Sequence, residues 1–404
     1  MSNTLKGNMI IAQSGGPTVV INQSLVGAVI EAKKHKQIKQ IYGSLNGIDG
    51  ILKERFIDLK KENLAILKKV AFTPCAALGS VRKKPTREDC VEIFKVLQKY
   101  DIRYFFYIGG NDSAETANIL NENAKKEGYE FRCFHIPKTI DNDLLENDHT
   151  PGYGSAAKFV AMAVMGNNLD NKSLPGVKID VVMGRHAGFL VAAAALGKKR
   201  DEDGPHLIYF PEKPFSKEAF LGDVEKVYSK YGRCLVAVSE GISNKKGEPI
   251  ISQFINETDT HGNVQLSGTG ALGDLLSELV KTKLNIGRVR ADTFGYLQRS
   301  FPGIYSEVDA KEAYEVGEMA VKKAVLEGLD GSIAIKRKQV KSYSVFYEPV
   351  PLNKVAKHTR SMPSKFINRA GNYVTQSFID YALPLIGKLP EVEFLKGVPA
   401  DNKK

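Results

Sequence analysis

The stretch His135 to Leu144, HIPKTIDNDL, closes an apolar run with two carboxylates, an amide and a cation. Asp141 and Asp143 are two residues apart, so in extended backbone their side chains point the same way, whereas in a helix they diverge. A carboxylate beside a substrate hydroxyl accepts its proton as the oxygen attacks phosphorus, and a second one holds a metal or orients the first. Lys138 offers a cation to the same space. An Asx-turn leaving a strand is the structural alternative.

Four further segments carry similar equipment. Gly15 and Gly16, in SGGPT, let the backbone approach an anion while a following helix offers unpaired N–H groups; a tight turn alone would use the same pair. Gly109 and Gly110 repeat the device, and Asn111, Asp112 and Ser113 add oxygen donors suited to magnesium, or an N-cap from Asp112 or Ser113. Met183, Gly184 and Arg185, then Ser239, Glu240 and Gly241, complete the set. His186, beside Arg185, has a base's chemistry but reads as a packing or capping histidine.

These groups need elements to hold them. Short apolar runs recur at Met9 to Ala12, Ile38 to Tyr42, Tyr104 to Ile108, Phe131 to Ile136, Val177 to Met183, Leu207 to Phe210 and Leu235 to Val238. Each ends in Gly, Pro or polar residues, as buried parallel strands do. Helical spacing runs through Val19, Val20, Leu25, Val26, Val29 and Ile30, and through Val91, Phe94, Val96 and Leu97; the Ala-rich segments from Ser155 and from Gly188 favour helix. Strand alternating with helix predicts an α/β fold with mainly parallel sheets and helices on both faces, whose ligands bind at the carboxyl ends of the strands. Five strands end in the motifs above. From about Phe294 a further strand, a helix from Val308 to Leu326 and strands around Ile333 and Tyr343 are expected.

The 404 residues predict two lobes, with a boundary at the breaker cluster Pro151 to Gly154. The longest apolar run, Phe189 to Leu196, is far short of a membrane span, and the N-terminus lacks a secretory pattern. Four dispersed cysteines predict reduced thiols in a cytoplasmic protein. A net charge of +11 suits anionic partners, but no zinc-finger or RNP-like pattern accompanies it, so nucleic acid is not expected. The sequence from Gly268 to Gly273 fits G-x-G-x-x-G, yet the polar stretch before it is a poor strand, and no P-loop motif occurs.

In order, SGGPT, GSVR, GGNDS, PKTIDND, MGRHAG, SEG and GYLQR resemble the phosphofructokinase family, specifically its pyrophosphate-dependent branch, over about residues 9 to 300. The resemblance implies the two-lobed phosphofructokinase fold: residues 1–152 with about 298–370 bind the phosphoryl donor, and 153–297 with the C-terminal helices bind the sugar phosphate. It implies reversible transfer from pyrophosphate to C1 of fructose 6-phosphate in a homodimer or homotetramer. Gly15, Gly16, Arg82, Gly110 and Ser113 would face the donor. Asp141 would take the C1 proton, with Lys138 and Asp112 as the other catalytic groups. Thr139, Ile140, Asp143, Met183, Gly184, Arg185 and Glu240 would hold the sugar, and Arg290, Tyr296 and Arg299 its 6-phosphate. The ATP-using branch has glycine where this chain has Asp112 and Lys138, which points to pyrophosphate. Asn111 departs from the branch's usual aspartate, so Mg2+ would lean on Asp141 or on the donor as well as on an uncharged amide. Competing readings are an ATP-dependent kinase, a sedoheptulose 7-phosphate kinase and a non-catalytic regulatory subunit.

Overall fold

A computed structural model describes residues 5–83, 85–252, 270–356 and 358–395. The first sheet holds β1 (Gly7–Gln13), β2 (Ile38–Ser44), β3 (Phe56–Asp58), β4 (Ile102–Gly109) and β5 (Arg132–Pro137). The second holds β6 (Val177–Val182), β7 (Leu207–Tyr209), β8 (Cys234–Ser239) and β9 (Val289–Thr293). The chain then returns to the first sheet with β10 (Gly331–Arg337) and β11 (Val345–Val350). Strand orders are β11-β10-β5-β4-β1-β2-β3 and β7-β8-β6-β9. The pairs among β2, β1, β4, β5 and β10 are parallel, as are all those of the second sheet; β3 and β11 pair antiparallel at the first sheet's two edges.

Burial follows the period of a strand covered on both faces. Met9 and Ile11 enter one apolar cluster, Ile10 and Ala12 the other. Helices Ile21–Ala32 and Glu307–Leu326 cover the first face through Leu25, Val29, Val316 and Ala320; helices Arg87–Lys99 and Asn111–Lys126 cover the second through Ile93, Leu97, Ala117 and Leu120. Helix Tyr153–Ser173, starting at the predicted breaker cluster, packs with helix Gln376–Ile386 on the second sheet. Among the described residues no helix is long and apolar enough to cross a membrane. All four cysteines are free thiols.

Several expectations shift. The strand expected from Phe294 is Val289–Thr293, and it ends before Phe294. The strand placed around Tyr343 starts at Val345, because the Tyr343 hydroxyl is drawn to Glu312 at 2.5 Å. β3 was unpredicted; three residues carry too little pattern to read. The Ala-rich segment from Gly188 makes one turn of helix, Phe189–Ala192, then tightens to a 3-10 helix, Ala193–Gly197. Val19 and Val20 precede their helix, and Val91 points to solvent. Of the G-x-G-x-x-G stretch, Gly268 and Thr269 lie outside the described residues, as does the polar segment before them; helix Ala271–Leu284 follows Gly270.

Candidate active site

Because β1, β4 and β5 run parallel, the segments after them meet on one edge. They line a cavity of about 240 Å³ whose walls include Gly15, Gly16, Arg82, Gly110, Asn111, Asp112, Ser113, Lys138, Thr139, Asp141 and Asp143. Residues from four separate motifs are thus brought together. Tyr107, Lys83 and Thr116 also line it. Tyr107 was hidden in an apolar strand run, whereas the position of Lys83 next to Arg82 could have flagged it.

The loops are tied to one another by backbone. Gly15 adopts φ +73, which glycine reaches without strain. Its N–H donates to Val81 O at 3.0 Å, and its carbonyl accepts from Ser80 Oγ at 2.6 Å, so the GSVR segment hangs on the first glycine loop. Lys138 N–H donates to Gly109 O at 2.9 Å and its ammonium to Gly16 O at 2.8 Å, joining both glycine loops. Below it His135 is fully buried. His135 Nε2–H donates to Gly109 O at 2.8 Å, leaving Nδ1 to accept from Ser332 Oγ at 2.8 Å. Burial holds this imidazole at about 4, neutral, as a strand-to-strand brace.

Lys138 is only 3% exposed. Burial, then the Arg299 and Arg82 guanidinium groups, bring its ammonium down to about 7. Burial pushes both Asp141 and Asp143 above the ordinary carboxylate range; the Asp141 charge lifts Asp143 further, while Lys138 works against both shifts. The pair does not sit in extended backbone as expected. Asn142 between them is left-handed at φ +59, and Thr139 Oγ1 accepts from Asp141 N–H at 3.1 Å to close the turn. Both carboxylates still line the cavity.

Helix Asn111–Lys126 starts without a side-chain cap: Gly110 is the N-cap, so neither Asp112 nor Ser113 serves as one. Asn111 Nδ2 lies 3.4 Å from Asp143 Oδ2, and Asn111 Oδ1 is buried without a hydrogen-bond partner. Such an oxygen beside two aspartates matches a hard cation's needs, and Mg2+ commonly takes one or two protein ligands with waters and phosphate oxygens. Among the described residues no group of three or more His, Cys, Asp or Glu is arranged to hold a metal by itself. The residues therefore fit a magnesium ion that shares its ligands with a bound phosphate.

Met183, Gly184, Arg185 and Glu240 follow β6 and β8 on the second sheet. Ser239 Oγ donates to Gly184 O at 2.6 Å, and Gln298 Oε1 accepts from Met183 N–H at 3.2 Å. Arg185 and His186 both bear electrostatically on Asp141, so this edge faces the carboxylates. His186 is exposed, contrary to the packing role expected of it. Ile140 buries its side chain in the cluster with Tyr153 and Phe189, leaving its backbone for any ligand.

The three residues expected at one phosphate are divided. Arg299 lies over the Tyr296 ring at 4.6 Å, and its Nη1 is 2.5 Å from where a Cβ on Gly16 would stand, so it reaches the first glycine loop. Arg290 is exposed near the amino end of β9, paired in register with Lys178. At about 3.3 Å per residue that is roughly 13 Å along the strand from the carboxyl edge at Phe294.

Two α/β lobes with glycine loops, clustered cations and paired carboxylates on facing sheet edges define the class of α/β phosphotransferases. The phosphofructokinase family model matches residues 8–324. The chain belongs to the phosphofructokinase family. It is 57% identical over 385 residues to a pyrophosphate--fructose 6-phosphate 1-phosphotransferase of Rhodospirillum rubrum, covering 95% of each chain. It is 39% identical over 404 residues to the protein of the same name from Xanthomonas campestris, covering 97% of this chain and 95% of that one. The crystal structure of a pyrophosphate-dependent phosphofructokinase from Marinobacter aquaeolei superposes with a TM-score of 0.85 at 36% identity, covering 98% and 95%.

Proposed function

We propose that the protein reversibly transfers a phosphoryl group from pyrophosphate to the C1 oxygen of fructose 6-phosphate, giving fructose 1,6-bisphosphate and phosphate. The observation that carries this reading is the buried Lys138 ammonium on the Gly16 carbonyl, in one cavity with Arg82 and Asp112. Lys138 and Arg82 supply the positive charge pyrophosphate needs, while the Asp112 carboxylate opposes the further phosphate of a nucleotide.

In the forward direction Asp141 accepts the C1 hydroxyl proton as that oxygen attacks the near phosphorus. The bridging P–O bond breaks, and phosphate leaves toward Lys138 and Arg82. Magnesium, held by Asn111 Oδ1 and Asp141 together with donor oxygens, would neutralise charge on those oxygens. Arg185, Glu240 and Thr139 would orient the sugar, with Tyr296 and Arg299 at its phosphate. Arg290, exposed on an edge strand, is left to serve a second copy in a homodimer or homotetramer, and we place the enzyme in the cytoplasm. Cleaving pyrophosphate releases nearly what the sugar phosphate ester stores, so the reaction runs both ways.

Assays with fructose 6-phosphate, Mg2+ and either pyrophosphate or ATP test this. Turnover with pyrophosphate is expected; turnover with ATP alone overturns the donor assignment, and silence with both favours a regulatory subunit. Gly16→Ala gives a finer check. Its Cβ would meet Arg299 Nη1 at 2.5 Å and Arg82 Nη2 at 3.5 Å, the free ends of flexible side chains. The guanidinium groups give way and stability stays within about 0.5 kcal/mol. The fructose 6-phosphate KM is expected to rise about tenfold, in line with Arg299 losing one charged contact to the sugar's phosphate.

A further inference from the structure

The loop carrying Asp141 and Asp143 is held from behind by a residue of the C-terminal segment, beyond the residues matched by the family model. Arg360 Nε donates to Asn142 O at 2.8 Å, and Nη2 donates to Asn142 Oδ1 at 2.9 Å and Asp148 O at 2.8 Å; Nη1 donates to Asn147 O. The Arg360 backbone N–H adds a bond to Asp143 O at 2.8 Å, and Thr359 bridges Leu144 antiparallel. The guanidinium also lies 5.0 Å over the ring of Phe189, which follows the MGRHAG loop of the second sheet. One side chain thus spans four acceptors on the carboxylate loop and touches the opposite lobe.

The cost of the Asn142 conformation gives this clamp its purpose. A left-handed residue between two carboxylates that repel each other is unfavourable, and persists where its surroundings over-determine it. Arg360 satisfies both Asn142 oxygens it meets, while Tyr381 Oη accepts from Asn142 Nδ2 at 2.8 Å. The planar five-donor fork of arginine suits converging carbonyls; a lysine ammonium has three donors on one atom.

We propose that Arg360 is a positioning residue for the reaction, fixing the Asn142 turn so that the Asp141 and Asp143 carboxylates converge on the transferring phosphoryl group. This rests on the reading of Asp141 as the proton acceptor. A displacement of about 1 Å at the reacting atoms is enough to reduce turnover about a hundredfold.

The test uses the full-length protein with Arg360→Lys and Arg360→Met. Both are expected to lower kcat about 100-fold, with KM for pyrophosphate and fructose 6-phosphate within about threefold of wild type, because binding groups stay while the reacting geometry is lost. Methylguanidinium added to the Lys variant should restore part of kcat. If Arg360→Met does not fold, the Lys variant carries the test alone. A Lys variant with kcat within about threefold of wild type overturns the role, since charge would then suffice. So does a parallel loss of kcat, both KM values and folded fraction, the mark of a merely structural residue. A wild-type enzyme silent with either donor overturns the proposed function and this role together; an active wild type with an unimpaired Lys variant overturns the role alone.

Discussion

Asp141→Asn is expected to lower kcat in both directions by about 10²- to 10⁴-fold, the usual worth of a positioned general base. The amide matches the carboxylate in shape and keeps the Asp141 N–H bond to Thr139 Oγ1, so the turn survives. It cannot accept the C1 proton going forward or return one in reverse. The sugar's other proposed contacts remain, so its KM should stay within a few-fold while kcat collapses. Steady-state rates in both directions, with a thermal melt of each protein, settle this. A variant retaining more than a tenth of wild-type kcat would remove Asp141 from the proton transfer. The wild-type pH profile adds a second reading. Burial raises the Asp141 carboxyl in the free protein, so the acid limb of forward kcat/KM, which reports the free enzyme's groups, should lie above the ordinary aspartate value of about 4. The ionised form is the proton acceptor, so the forward rate falls as pH drops through that limb.

Lys138→Met is expected to cost about a thousandfold in kcat/KM for pyrophosphate. A unit-charge pair at about 4 Å is worth roughly 4 kcal/mol at intermediate dielectric, or about three decades. The variant should still bind fructose 6-phosphate. Competition measurements with phosphate, alongside the rates, separate donor loss from general damage. Burial and the two neighbouring guanidinium groups hold the Lys138 ammonium at about 7 in the free protein, so a bound anion draws a proton back onto it. Pyrophosphate binding should therefore take up protons increasingly as pH rises above about 7. Calorimetry in buffers of differing ionisation enthalpy detects this uptake, and Lys138→Met should remove it. An unchanged uptake in the variant would assign the proton elsewhere. The stability effect has a definite sign. The folded pKa lies below that of the unfolded chain, so unfolding binds a proton between about 7 and the ordinary lysine value of 10.5. This residue's contribution to stability accordingly rises with pH across that window.

Much of this site was legible because of how parallel sheets are built. Every strand of a parallel set delivers its carboxyl end to the same edge, so motifs as distant as Gly15 and Asp141 converge without any knowledge of packing. Local chemistry then identified Asn111, Asp112, Lys138, Asp141 and Asp143 as one anion and metal environment, and the cavity contains all five. Period-two burial in β1 and the helix from about Val308 to Leu326 followed from the apolar pattern in the same way.

What remained hidden depended on contacts between distant segments or on one residue's backbone. Extended backbone through Asp141 and Asp143 was the natural local expectation, whereas Asn142 is left-handed and is held by Thr150, by Tyr381 and by Arg360, 218 residues away. Arg290 and Arg299 share a sequence motif, yet strand register sets one beside Lys178 while a helical turn carries the other to Gly16. The sequence by itself determined which polar groups gather together and which sheet edges hold them, since strand polarity and residue type are local properties. Only the tertiary structure decided the angle at which the carboxylates meet and which arginines reach them, since register and long-range hydrogen bonds exist only once the chain has packed.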